Sequence, residues 1–274
     1  IIAMWIVSLL KIETSSMQFY VASIASVLLG AYAFTLPKCD VSKQVEKKTL
    51  VDSLGLRAFT LFKEKKMALF FIFSMLLGAA LQLTNAYGDT FLHDFAKIDA
   101  YKGLVAIKYP AIIMSISQMS ETLFILTIPF FLRKFGIKNV MLFSMLAWVL
   151  RFGLFGLGNP ADGLWMIILS CIIYGMAFDF FNISGSLYVE TQTDSSIRAS
   201  AQGVFMMMTN GFGAIMGSSL SGLLIDHYFK AQNGDFQWQG IWFTFAAYAL
   251  VVAILFAIFF KHKHDPSKLL NIKH

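Results

Sequence analysis

An all-α integral membrane bundle is the fold class this sequence predicts, on three observations. The 274-residue chain is 57% apolar and only 14% charged, against about 25% charged in ordinary soluble domains. Its apolar residues gather into eight runs, seven of them long enough to cross a ~30 Å hydrocarbon core as helices. Its lysines and arginines fall mostly between the runs, unevenly by side, as the positive-inside rule expects. The net charge of +6 therefore reads as membrane topology, and no nucleic-acid partner is expected.

The runs cover residues 1–10, 17–36, 67–88, 109–132, 138–158, 164–187, 199–225 and 240–260. Open strands cannot cross lipid, and the runs lack the alternation of barrel strands, so helices are expected throughout. The first run stops at Leu10, short of the ~20 residues a crossing takes. The chain is expected to start inside a helix, as a fragment missing its N-terminal part. Lys and Arg number 16 in residues 37–66, 133–139, 188–198 and 261–274, and 5 in residues 11–16, 89–108, 159–163 and 226–239. The richer set is expected to be cytoplasmic.

Residues 37–66 form the longest connection and carry KCDVSKQVEKK and KEKK. This basic loop separates two runs from six, which suggests one half of a six-plus-six transporter, a fold that places its substrate site near the midplane. An unrelated eight-helix protein is the alternative. The expected divisions are 1–36 (the last two helices of an N-terminal half), 37–66 (a cytoplasmic central loop), 67–262 (a six-helix half) and 263–274 (a cytoplasmic tail). Cys39 and Cys171 lie on different segments without CxxC spacing, so neither a disulfide framework nor a metal site is expected.

Polar groups at membrane depth carry the functional reading. In GLWMIILSCIIYGMAFDFFNISGSLYVE, Asp179 sits mid-span. A carboxylate there costs at least a few kcal/mol unless it faces protein or water, so Asp179 is paired, protonated or functional. Tyr174, Phe178 and Asn182 recur every four residues and share a face. Rings and an amide beside an acid suit a polar, ring-bearing solute and a proton; an aromatic packing stripe is the plainer reading. Phe178 and Asp179 stand ~100° apart on an ideal helix, so either the face is broad or Asp179 aims sideways at a neighbour.

Earlier in the chain, LQLTNAYGD places Gln82 and Asn85 on one face. They suit hydrogen bonding to a base or sugar, and equally to a neighbouring helix. SISQMSETLFILTIP repeats the spacing with Gln118 and Glu121, a second acid near mid-membrane. Glu121 and Asp179 could share proton handling, since apolar surroundings disfavour the charged carboxylate. Pro129 is expected to bend this helix. Arg151 in WVLRFGLFG wants an acid partner, with Glu121 at similar depth, or snorkels outward. In ASAQGVFMMMTNGFGAIMGSSLSGLL, Gly213, Gly217 and Ser221 supply small-xxx-small spacing for close helix packing, and Asp194-Ser195-Ser196 ahead of it offers N-cap chemistry.

YGMAFDFFNISGSLYVE and IRASAQGVFMMMTNGFGAIMG closely resemble the nucleoside:proton symporters of the major facilitator superfamily. AMWIVSLL, QFYVASIASVLLGAYAFTLPKC, LQLTNAYGDTFL and SQMSETLFILTIPFFLRKFGIKNVML also resemble that family, so the likeness covers essentially the whole chain. It implies a major facilitator bundle of twelve helices, about eight of them present here. It implies a uridine site in which Gln82 and Asn85, Gln118 and Glu121, and Tyr174, Phe178 and Asp179 bind substrate, with Asp179 and Glu121 the proton-coupling candidates. It further implies proton-driven uptake of uridine- and adenosine-type nucleosides across the bacterial cytoplasmic membrane, with lipid, nucleosides and protons as the partners of a monomer. No cofactor, no metal and no catalytic residue is expected. A same-fold symporter for xanthosine or a sugar and a non-transporting membrane bundle are the alternatives. No nucleophile elbow or phosphate loop points to an enzyme.

Overall fold

A computed structural model describes residues 2–10, 12, 15–37, 55–232 and 234–262. The principal helices are α1 (Ile2–Leu9), α2 (Met17–Ala33), α3 (Lys65–Asp94), α4 (Pro110–Leu157), α5 (Leu164–Gln192), α6 (Arg198–Met206), α7 (Gly213–Leu224) and α8 (Trp238–Phe259). Among the described residues four helical stretches, Lys65–Lys97, Pro110–Leu157, Leu164–Gln192 and Trp238–Phe259, are long and apolar enough to cross a membrane. In hydrocarbon every backbone N–H and C=O needs an internal partner, and the helix is the form that supplies one to each.

The expected run boundaries meet these helices with several differences. Helix α4 joins the fourth and fifth runs into one assigned stretch of 48 residues, which as a straight rod would measure ~72 Å. It is two arms that reverse at Gly136, whose φ of 76° and ψ of 165° are non-helical. The rings of Phe131 and Phe143 stand 6.3 Å apart across that reversal, whereas twelve residues of straight helix would separate them by ~18 Å. Glycine is required there because a Cβ opposes this backbone conformation. Pro129 remains inside the helical first arm; the break comes at Gly136.

Helix α2 ends at Ala33, short of the expected residue 36, and buries none of its side chains. The expected seventh run divides into α6, a π-helical turn at Met207–Phe212, and α7, followed by a second π turn at Ile225–Phe229. The N-cap of α6 is Ile197, without a side-chain cap bond. The capping role expected of Asp194, Ser195 and Ser196 reduces to a backbone bond from Ile197 N–H to Asp194 O at 3.2 Å. Within residues 37–66 a 3-10 helix, Leu56–Lys63, buries Ala58 and Leu61. The KCDVSKQVEKK stretch, Cys39 and the 263–274 tail lie outside the described residues.

The small-residue spacing of α7 does what its sequence promised. A Cβ on Gly213 would lie 2.6 Å from Met75 O, one on Gly217 2.7 Å from Ala79 O, and one on Gly78 2.0 Å from Thr209 O. Helix α3 therefore meets α7 and the π turn backbone to backbone, and Tyr87 and Ser221 share a hydrogen bond of 3.2 Å along the same seam. Aromatic clusters fill the two ends of the bundle. Phe70 packs on Phe181, Tyr188 and Phe205, and Phe91 on Phe155, Trp238 and Trp242. Helix α1 docks on the first arm of α4, where Trp5 Nε1 donates to Ser115 Oγ at 2.8 Å.

Candidate functional site

The site grows from the face that α5 turns toward its neighbours. Tyr174 and Phe178, one turn apart, stack with ring centroids 5.7 Å apart and planes 9° from parallel. Trp148, on the second arm of α4, meets the Tyr174 ring edge-on at 5.7 Å and 89°. Asn182 Nδ2 continues the same face by donating to Phe178 O at 3.1 Å.

The first arm of α4 is held to α5 by Ser120 and Gly175. The Ser120 hydroxyl donates to Ile172 O, and the Gly175 N–H donates to Ser120 Oγ at 3.3 Å. A Cβ on Gly175 would stand 2.6 Å from the Ser120 backbone, so glycine permits this approach. The clamp fixes the register of the next residue, Glu121. Its half-buried carboxyl lies within electrostatic reach of Arg151, Tyr174 and Asp179. Ser120 was not among the residues singled out in the sequence: its role depends on a glycine 55 positions away.

Arg151 is fully buried and does not snorkel. Its Nη1 donates to Ser170 O at 2.7 Å, and Ser170 Oγ donates back to Arg151 O at 3.0 Å. The guanidinium lies 4.5 Å from the Tyr174 ring centre and 4.9 Å from that of Phe155. Among the described residues no direct ion pair joins it to Glu121. The two charges act across a gap, with the Tyr174 ring on the guanidinium.

Asp179 is 5% exposed, and its Oδ2 has no hydrogen-bond partner among the described residues. Its electrostatic neighbour is Glu121 on α4, while Phe178 faces α3. The Phe178 side forms a cleft with Leu77 and Leu81 of α3, Trp148, Asn182 and Thr209. Asn85 lies one turn beyond Leu81, on the same side of α3; it is exposed and Gln82 is half-buried. Gln118 is half-buried on α4, three residues before Glu121, and its carbonyl accepts from Thr122 Oγ1 at 3.3 Å.

Acid, ring and arginine thus meet between α4 and α5, while α3 meets Phe178 through Leu77 and Leu81, and neither Gln82 nor Asn85 lines that cleft. The cleft beside Phe178 measures about 10 Å³, room for about one water. It adjoins a groove of about 620 Å³ at Asn182; Ser186, Glu190 and Arg133 line the groove's polar side. A hollow of about 530 Å³ lies at the far end of α3, around Asp94, Lys97 and Trp238, away from this chemistry. The groove shares Asn182 with the cleft but is lined by none of Gln82, Asn85, Gln118, Glu121, Tyr174, Phe178 and Asp179; the candidate site is the small cleft that Phe178 lines, with the acids and Arg151 beside it. Trp148, Ser170 and Thr209 join it only in three dimensions.

The profile of the nucleoside H+ symporter family matches residues 1–265. The chain belongs to that family. It is 56% identical over 270 residues to a xanthosine permease of Escherichia coli (strain K12), covering 98% of this chain and 64% of the relative. It is 54% identical over 265 residues to the nucleoside permease NupG of the same organism, covering 96% of this chain and 63% of that protein. The crystal structure of nucleoside transporter NupG superposes with a TM-score of 0.83 at 53% identity, over 95% of this chain and 64% of that one. A mutant of the same transporter gives 0.87 over 94% and 64%. The chain therefore has the major facilitator type of fold and spans a little under two-thirds of the length of these relatives.

Proposed function

We propose that this protein carries uridine- and adenosine-type nucleosides across the bacterial cytoplasmic membrane together with protons, by alternating access. The observation that carries the reading is the parallel Tyr174–Phe178 stack flanked by two acids, Asp179 and Glu121, in a member of the nucleoside H+ symporter family. A base stacks on the exposed side of Phe178, whose π-face accepts any base, with Tyr174 held behind it by Phe178, Arg151 and Trp148. Gln82, Asn85, Gln118 and Glu121 hold the ribose and base edges with the donors and acceptors their side chains carry. Proton loading at Asp179 or Glu121 relieves a charge held at membrane depth, and substrate binding and helix rocking respond to that change. The lysine-rich connections and the tail face the cytoplasm in this reading, and one copy suffices for transport.

The decisive experiment is uptake into nucleoside-uptake-deficient cells carrying the protein, with the proton gradient present or collapsed. Asp179→Asn and Glu121→Gln are expected to abolish or strongly reduce gradient-driven accumulation of uridine. Uptake at the wild-type level in both variants would remove the two carboxyls from coupling. A second reading, xanthosine as the preferred substrate, is favoured by the 56% identity to a xanthosine permease. Competition of labelled uridine uptake by excess xanthosine separates the two.

A further inference from the structure

The π-helical turn Met207–Phe212 holds a polar group that the site described above does not use. Asn210 is exposed midway along the apolar run 199–225. Among the described residues its amide has only a weak partner, Met206 Sδ at 3.9 Å. An amide facing hydrocarbon without a hydrogen bond costs several kcal/mol, so lipid is a poor environment for it. The π turn is itself a departure from α geometry of the kind found often at functional sites.

Register places Asn210 near the level of the stacked rings. Helices α5 and α6 are joined by a five-residue connection and run antiparallel. At their shared end Gln202 Nε2 donates to Ser186 O at 2.8 Å. One face climbs from Gln202 through Met206 to Asn210; the opposing face climbs from Ser186 through Asn182 to Phe178. Both cover eight residues, or ~12 Å of rise, so Asn210 stands at the level of Phe178. The neighbouring residue confirms the level independently: Thr209 lines the same cleft as Phe178 and Asn182.

We propose that Asn210 is a further substrate-contacting amide, presented by the π turn next to Phe178, that helps set which nucleoside is preferred. The inference rests on the transport reading above. The Thr209 hydroxyl is already spent on Phe205 O at 2.9 Å, which leaves Asn210 as the group on this turn with donors and an acceptor to offer.

The test is uptake kinetics with Asn210→Leu, which keeps the approximate shape and removes every hydrogen bond. A lipid-facing position would accept leucine without effect. A site position is expected to show a KM for uridine raised about 3- to 10-fold, the loss of one neutral hydrogen bond, with an altered ratio of uridine to adenosine KM. Loss of folding alone would lower the amount of active protein without changing that ratio. Should the leucine variant reach the membrane poorly, Asn210→Ser carries the same expectation, because its hydroxyl is too short to make the amide's contact. Wild-type uptake with an unchanged KM and an unchanged ratio in the variant overturns this inference alone. A wild-type protein that takes up neither nucleoside overturns the transport reading and this inference with it.

Discussion

Substituting Gly78 by alanine tests the closest helix contact in the fold. The added Cβ would stand 2.0 Å from Thr209 O and 2.8 Å from Thr209 Cα, where ordinary contact begins at 3.4 Å. The obstructing atoms are backbone, so no side-chain rotation clears them, and α3 must retreat from the π turn by more than an ångström. That movement also opens the Gly213 contact, where a Cβ would already stand 2.9 Å from Gly78 Cα. Overpacking of this kind costs about 1–3 kcal/mol, and a backbone-to-backbone clash belongs at the upper end. At about 2–4 °C per kcal/mol for a chain near this size, the midpoint falls by about 5–10 °C. Thermal unfolding of the detergent-purified protein, followed by intrinsic tryptophan fluorescence, measures it. Gly203→Ala is the internal control: nothing lies within 4 Å of its Cβ, and alanine favours a helix by up to ~1 kcal/mol. The reasoning fails if Gly78→Ala melts within about a degree of wild type while Gly203→Ala behaves as expected. Because Thr209 borders Phe178, the Gly78 variant should also transport poorly.

Phe178→Ala removes the ring that stacks on Tyr174; base–aromatic stacking is worth about 1–3 kcal/mol by alanine substitution, so the uridine KM should rise roughly 5- to 150-fold, read in the same uptake assay. Arg151→Lys keeps the charge but loses the planar group that lies over Tyr174 and Phe155. With cation–π contacts of about 0.5–2 kcal/mol each, the variant should melt measurably lower and transport less, and equal stability would show that the rings contribute nothing. Trp238→Phe deletes the 2.8 Å hydrogen bond from Nε1 to Asp94 Oδ2; hydrogen bonds to charged groups are worth about 1.5–3 kcal/mol, so a lower unfolding midpoint with unchanged uridine KM is expected, since this contact lies at the far end of α3.

The long apolar helices of this bundle were legible in the order of the residues, because hydrocarbon leaves the backbone no other way to satisfy itself. The Tyr174–Phe178 stack followed from a four-residue spacing, and the α3–α7 seam from Gly213, Gly217 and Ser221. These are local consequences of helical period and residue size. The break in the fourth and fifth runs was readable, but not that Gly136 would carry the reversal and leave Pro129 inside a helix. The sequence offered Arg151 an acid partner or the membrane surface; the fold gave it Ser170 O and two rings, because α5 places them in reach. The Asp194–Ser196 cap did not form, and two π turns arose that no periodicity announced. The burial of Asp179, the clamp of Ser120 on Gly175 and the level of Asn210 all depend on where one helix meets another. Spacing along a chain determines what shares a face; only packing between distant segments decides what that face meets.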